Sequence, residues 1–69
     1  MRIGELVRQF REEKRLTRKH LGLLVEQTSE QLKNIESGRT MPRADVLQRL
    51  ADVLELPAAK VAKALRGTQ

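Results

Sequence analysis

The sequence has 69 residues, of which 39% are hydrophobic and none is cysteine, and its net charge is +5. A chain of this length makes one domain with a small core, so we expect residues 1–69 to form a single unit. Without cysteine, disulfides and thiolate metal sites are excluded, and the apolar runs are too short to cross a membrane. We expect a cytoplasmic protein with an anionic partner, and nucleic acid is the commonest such partner of a compact basic domain.

Apolar residues at helical spacing predict a first helix over about residues 2–14. They are Ile3, Leu6, Val7 and Phe10. The predicted outward positions are Arg2, Arg8, Arg11 and Glu12. Phe10 is the only aromatic residue, and its place on the apolar stripe favours the core. Because single-stranded nucleic acids are bound largely by aromatic stacking, duplex is the better candidate.

Residues 16–38 have the pattern of two short helices joined by a tight turn. Thr17 and Thr28 are N-cap residues in this interpretation, and Thr28 with Gln31 has the spacing of a capping box. Gly38 can adopt the left-handed conformation that ends the second helix. The predicted inward residues are Leu21, Leu24 and Val25 on the first of these helices and Leu32 and Ile35 on the second.

Positive charge opens the first helix of this pair, at Arg18, Lys19 and His20. Cations are mildly unfavourable at the positive end of a helix dipole, but a bound phosphate would reverse that effect. Solvated side chains remain the alternative interpretation. His20 has no second histidine, cysteine or carboxylate cluster at ligand spacing, so we predict neither a metal site nor a catalytic base.

The second helix of the pair presents Ser29, Glu30, Lys33 and Asn34 on its outer side. These side chains can hydrogen-bond to base edges, although an ordinary solvated helix surface has the same composition. The charge is uneven along the chain: residues 23–38 carry a net −2 between segments of +4 and +3. This distribution suits a protein whose flanking cations bind phosphates while few contacts read bases.

Two further helices complete the chain. Pro42 is predicted to open a helix over about residues 43–54, and Pro57 to precede another that begins at Ala58 and stops at Gly67. The inward residues are expected to be Val46, Leu47, Leu50, Ala51 and Leu54, followed by Val61, Ala62 and Leu65. No strand pattern is present. We therefore predict an all-α bundle of five helices.

The most specific elements of residues 16–38 are Leu16-Thr17, Leu21, Thr28 and Ile35-Glu36-x-Gly38. They are followed by the pattern Val46-Leu47-x-x-Leu50-Ala51-x-x-Leu54. This arrangement resembles the Cro/C1-type (XRE family) helix-turn-helix domain of phage repressors and bacterial regulators. The resemblance covers about residues 3–65. It implies a lambda-repressor-like five-helix bundle, with the helix-turn-helix at helices 2 and 3. Such domains bind operator DNA, usually as dimers with helix 3 in the major groove.

The resemblance also assigns residues. It adds Thr28 to the base-reading candidates Ser29, Glu30, Lys33 and Asn34. It makes Arg18, Arg39, Thr40 and Arg43 phosphate-contact candidates, and the basic helix start described above adds Lys19 to them. It gives Glu36 a structural role within the domain, and it places a dimer surface on the fifth helix at Leu56, Pro57, Val61 and Leu65, residues that could equally belong to the core.

Three positions depart from the family pattern. Glu26 replaces the usual turn glycine, which costs on the order of 1 kcal/mol if the backbone there is left-handed. Gly22 replaces an alanine and could allow closer packing. Leu23 and Leu24 replace polar residues; we expect Leu24 to pack beside Leu21 and Leu23 to be exposed, where it could contact another protein.

The residues and the resemblance together support two functions. The first is a sequence-specific double-stranded DNA-binding transcriptional regulator, a repressor in preference, acting as a homodimer without a cofactor. The alternative is a protein-interaction module on the same fold, such as an antitoxin or adaptor, with a partner bound through Leu23. An enzyme is disfavoured, because the sequence has no cysteine, one histidine, no glycine-rich phosphate loop and no paired carboxylates in a plausible cleft.

Overall fold

The computed structural model of the protein describes residues 2–67, which contain five α-helices and no strand. They are α1 (Ile3–Glu13), α2 (Arg18–Val25), α3 (Ser29–Glu36), α4 (Ala44–Leu54) and α5 (Ala58–Arg66). The predicted all-α fold is confirmed, with each helix close to its expected range. Met1, Thr68 and Gln69 lie outside the described residues. In the described part of the chain, no helix is long and apolar enough to span a membrane.

The helix starts of the central pair are capped as the sequence predicts. The Thr17 hydroxyl accepts a hydrogen bond from the backbone N–H of His20 at 3.0 Å. At the start of α3 both halves of the capping box are present: the Thr28 hydroxyl accepts from the N–H of Gln31, and the Gln31 side chain accepts from the N–H of Thr28. These bonds satisfy backbone donors that no carbonyl of the helix can reach.

Glycine ends α3 as predicted, and prolines precede the last two helices. Gly38 has a φ of +83°, and hydrogen bonds from Gly38 to Ile35 and from Arg39 to Asn34 close the Schellman pattern. Pro57 is the N-cap of α5, so that helix begins at Ala58 as expected. The prediction for Pro42 was wrong by two positions: Arg43 is the N-cap of α4, and Pro42 lies buried before it.

The core is formed by the inner faces of all five helices. Its buried members are Ile3, Leu6, Val7, Leu21, Val25, Leu32, Ile35, Val46, Leu50, Leu54, Leu56 and Ala64. Phe10 packs at the edge of this core, half-buried, with the Lys60 Nζ 5.6 Å from its ring centroid. The ring belongs to the interior and is not a stacking platform.

Two helices are rotated differently from our expectation. Leu24 is 56% exposed, because α2 packs on α3 and α4 through Leu21 and Val25, and Leu24 lies about 100° around the helix from Val25. On α5 Ala64 is buried toward α1 and Val61 is half-buried against the core as predicted, whereas Ala62 and Leu65 are exposed. Alternating apolar and basic residues made the orientation of α5 ambiguous from sequence.

Two glycines allow close backbone approach. A Cβ on Gly4 would meet the Ile35 carbonyl oxygen and lie 2.7 Å from the Glu36 carbonyl oxygen, so α1 crosses the end of α3 without space for a side chain. A Cβ on Gly22 would collide with the carbonyl oxygen of Gln27 in the turn. Gly22 therefore permits a close approach of the turn to α2.

Among the residues that the structure describes, three that are not glycine adopt the left-handed conformation. Arg15, Glu26 and Glu55 have φ values of 57°, 58° and 56° and follow α1, α2 and α4. The left-handed conformation expected for Glu26 is thus confirmed, and a non-glycine residue in this conformation is expected to cost about 1 kcal/mol.

Candidate nucleic-acid interface

The polar outer face of α3 is open to solvent. Leu32, Ile35 and Glu36 are buried, so the opposite side of the helix faces outward. There Ser29, Glu30 and Lys33 are exposed and Asn34 is half-buried, and Thr28 is exposed at the helix start. The structure therefore brings all five base-reading candidates onto one accessible helix. Their acceptors and donors match the groups that base edges in a major groove require.

A buried carboxylate fixes α3 to the two preceding helices. The Glu36 side chain is only 2% exposed and accepts two hydrogen bonds from Arg11, from Nε at 2.6 Å and from Nη2 at 3.1 Å. Nη1 of Arg11 donates to the carbonyl of Leu16 at 2.8 Å. The structural role assigned to Glu36 is confirmed. The prediction that Arg11 points outward was wrong, because this pairing offsets the cost of burying its charge.

Arg18 joins the same carboxylate from the N-terminus of α2. Its Nε donates to Oε1 of Glu36 at 3.1 Å, while 38% of its side chain stays exposed. One carboxylate thus faces two guanidinium groups, which leaves an excess positive charge beside α3. Lys19 and His20 are exposed on the following positions. This edge of the domain combines positive charge with the N-terminal end of a helix, which is the combination that a phosphate prefers.

A groove separates the other edge of α3 from the loop before α4. Its polar lining includes Gln27, Gln31, Asn34, Thr40 and Arg43. The backbone N–H of Thr40 donates to the Asn34 carbonyl at 3.2 Å, which holds the loop against the end of the helix. Arg39, Thr40 and Arg43 are exposed. The only acidic group near Arg43 in the described residues is Asp45, at 3.7 Å from its Nε, and this pair is solvent-exposed.

The two groups of phosphate-contact candidates therefore lie on opposite flanks of α3. Glu36, which binds Arg18, and Asn34, which lines the groove, are two positions apart and so point about 200° from each other around the helix. A reading helix flanked on both sides by cations is the arrangement expected where a helix enters a groove between two phosphate backbones. Within residues 2–67, no cluster of metal-ligating side chains is present.

Sequence reasoning missed the position of Arg11 and the groove wall made by Gln27 and Gln31. A signal for Arg11 existed, since it continues the helical spacing of Gly4 and Val7, both buried. A charged residue at such a position indicates a buried partner. Nothing in the local pattern identifies that partner as Glu36, which is 25 positions away.

Comparison with known proteins places this geometry in a family. A family model described as a helix-turn-helix domain matches residues 2–64. The chain belongs to this family. The domain is of the XRE/Cro-C1-like type, in agreement with the resemblance in the sequence, and it indicates a DNA-binding regulator. No curated protein and no solved structure gives a significant match to the chain.

Proposed function

We propose that this protein is a cytoplasmic, non-enzymatic transcriptional repressor that binds a specific operator in double-stranded DNA as a homodimer. The observation that supports this function best is the exposed polar face of α3 between two cationic flanks. A protein held tightly on an operator represses by occupying DNA that other proteins would need. Membership of the helix-turn-helix family supports DNA binding. The specific operator, the homodimer and the repressor activity are our proposal.

In this proposal α3 lies in the major groove and its residues have separate roles. Asn34 can bind adenine bidentately, Glu30 can accept from the cytosine amino group, and Lys33 can donate to guanine. Thr28 and Ser29 reach the first base pair or a nearby phosphate.

The cations on the two flanks of α3 bind the phosphate backbones of the two DNA strands. Arg18 and Lys19 bind one backbone, and Arg39, Thr40 and Arg43 bind the other. Arg43 lies nearest to a narrowed minor groove at the operator centre.

The dimer surface that we propose is the exposed part of α5 and of the segment before it. Leu56 is buried in the core and is removed from the set suggested by the family resemblance. Pro57 and Leu65 are exposed, and Val61 is half-buried. The replacement of Leu65 by Lys should therefore raise the dissociation constant of the dimer. Sedimentation equilibrium measures this constant directly, and an unchanged value would place the dimer surface elsewhere.

Selection of bound duplexes from a random pool at two salt concentrations tests the function. We expect enrichment of an inverted repeat with half-sites about one helical turn apart. If the dimer makes about six phosphate contacts, the logarithmic salt slope is about −5. Retention that disappears equally for all sequences as salt rises would contradict an operator-specific function.

Two substitutions separate reading from phosphate binding. Asn34→Ala should reduce discrimination at one base pair of each half-site by about 1–3 kcal/mol and leave binding to random DNA unchanged. Arg18→Ala should weaken binding to all sequences and reduce the salt slope by about 1. Equal losses on operator and random DNA for Asn34→Ala would disprove its role in base reading.

An exposed leucine pair supports a second candidate function, a protein-interaction module such as an antitoxin or adaptor. Leu23 is 73% exposed and Leu24 is exposed beside it, on the outer side of α2. Both side chains could enter an apolar pocket of a partner protein. Leu23→Ser together with Leu24→Ser should abolish a stoichiometric complex recovered by pull-down while DNA affinity is retained. A complex that survives both changes would exclude this surface.

A further inference from the structure

The amide of Gln31 is fixed in one orientation by the capping box. Its Oε1 accepts the backbone N–H of Thr28 at 2.7 Å, and its own backbone N–H donates to the Thr28 hydroxyl at 3.0 Å. If the amide were rotated by 180°, its NH₂ group would face the backbone N–H of Thr28. Two donors would then meet, and the hydrogen bond to Oε1 would be lost. In residues 2–67 no hydrogen bond joins Nε2 to another group. The side chain therefore offers both N–H donors of its amide to a ligand, while its oxygen already accepts the cap bond.

The position of Gln31 places these donors beside the reading residues. Gln31 is exposed, three positions after Thr28 and three before Asn34, and residues at this spacing are neighbours on a helix surface. It also lines the groove together with Asn34, Thr40 and Arg43. Gln31 thus lies between residues already expected to contact DNA, on the flank of α3 that no buried ion pair closes.

We propose that Gln31 is a further specificity-determining residue, which reads a base edge as a fixed hydrogen-bond donor. This inference rests on the proposed function. A free glutamine binds adenine bidentately, with its oxygen accepting and its nitrogen donating. The cap disfavours this geometry for Gln31, because it turns the side-chain oxygen toward the backbone N–H of Thr28 and leaves the NH₂ group as the free end of the amide. Its NH₂ suits guanine, whose N7 and O6 are adjacent acceptors, and it is not compatible with cytosine, which presents only an amino donor.

Gln31→Glu tests this inference, because glutamate also forms capping boxes at this position. The variant should keep the start of α3, but its side chain can only accept. We expect one position of each half-site to change from a preference for guanine to a preference for cytosine, with a change of about tenfold or more in the ratio of the two affinities. The measurement is selection from a random duplex pool with both proteins, followed by titration of the two matched duplexes.

Gln48→Glu provides the matched control, since Gln48 is exposed on α4 and the change adds the same charge. Its base preferences should equal those of the original protein. Gln31→Lys keeps a donor and loses the cap, so it should retain the preference for guanine with a lower midpoint of thermal unfolding. This second variant tests the inference even if the glutamate variant folds poorly.

The outcomes are distinguishable. A preference that changes only in Gln31→Glu and is retained in Gln31→Lys supports base reading by Gln31. Uniform weakening on all duplexes, with every base preference intact, overturns it and indicates contact with a phosphate. If the original protein selects no motif, the proposed function fails as well. A motif that persists unchanged in Gln31→Glu overturns the inference about Gln31 alone.

Discussion

The two flanks of α3 differ in how they are held. On one side the buried Glu36 binds Arg11 and Arg18, and Gly4 lets α1 lie directly against the end of the helix. On the other side, the groove between α3 and the loop is open, is lined by polar side chains together with apolar ones such as Met41 and Val46, and is held by few hydrogen bonds. The first flank sets the position of α3 within the domain, and the second leaves its side chains accessible. A helix that reads DNA needs both properties at once.

Removal of the buried carboxylate should have the largest effect on this arrangement. Glu36→Ala leaves Arg11 buried without its partner, and we expect the free energy of unfolding to fall by about 3–5 kcal/mol. Denaturant titration measures the loss. Glu13→Ala is the matched control, because its hydrogen bond with Gln9 is exposed and its loss should change the free energy of unfolding by less than about 1 kcal/mol. A similar loss in both variants would contradict the special role of the buried flank.

The second largest loss in the free energy of unfolding is expected when a methyl group is added where α1 crosses α3. Gly4→Ala forces its Cβ against two backbone carbonyls of α3, and overpacking of this kind costs about 1–3 kcal/mol. The same titration reports it. Gly38→Ala provides a comparison, since nothing lies within 4 Å of its Cβ and its cost comes only from the left-handed backbone. An unchanged stability for Gly4→Ala would mean that the helices can separate at no cost.

Relief of backbone strain in the turn between α2 and α3 should increase the free energy of unfolding, whereas the two preceding changes decrease it. Glu26→Gly removes a left-handed non-glycine residue and should raise the unfolding free energy by up to about 1 kcal/mol. Its weak contact with Arg49, at 3.9 Å and exposed, contributes little. Thermal unfolding measures the gain. A decrease would show that the flexibility of glycine in the unfolded chain outweighs the relieved strain.

Substitutions on the flank of α3 that faces the groove should have little effect on the stability of the fold. Arg43→Ala removes an exposed side chain whose pair with Asp45 is long, so we expect the unfolding free energy to change by less than about 0.5 kcal/mol. DNA affinity should nevertheless fall on all sequences, as it does when one phosphate contact is lost. A large loss of stability would show that this flank also supports the fold.

The smallest effect concerns the exposed pair of Lys14 and Glu55. The hydrogen bond and charge of Lys14, at 2.7 Å, lower the pKa of the Glu55 carboxyl below its ordinary value. Because the folded-state pKa is the lower one, this pair stabilises the fold above the unfolded-state pKa and loses its effect as pH falls through the folded-state pKa. Lys14→Met should return the pKa to its ordinary range. Titration of Glu55 by NMR measures this, and an unchanged pKa would contradict the pairing.

The sequence was informative where structure depends on local chemistry. Thr17, Thr28 and Gly38 mark helix ends through bonds to residues a few positions away, so their roles could be predicted. The roles of Arg11 and Gly4 depend on contacts with α3, which is more than twenty positions away in the sequence. These contacts could not be predicted from the local pattern. The surface of α3 was predicted as a face, but the groove beside Gln31 arises only when the following loop folds back against Asn34.

The sharing of Glu36 among three helices has a consequence for how the protein opens. If α1 or α3 detached alone, a charge in the interior would lose its partner, and if α2 detached, Glu36 would lose its second guanidinium group, so partial unfolding of any of them is disfavoured. These three helices should therefore unfold as one cooperative unit. Their core amide protons should exchange with solvent at a common, slow rate, whereas those of α5, which takes no part in this ion-pair network, should exchange through smaller and more frequent openings.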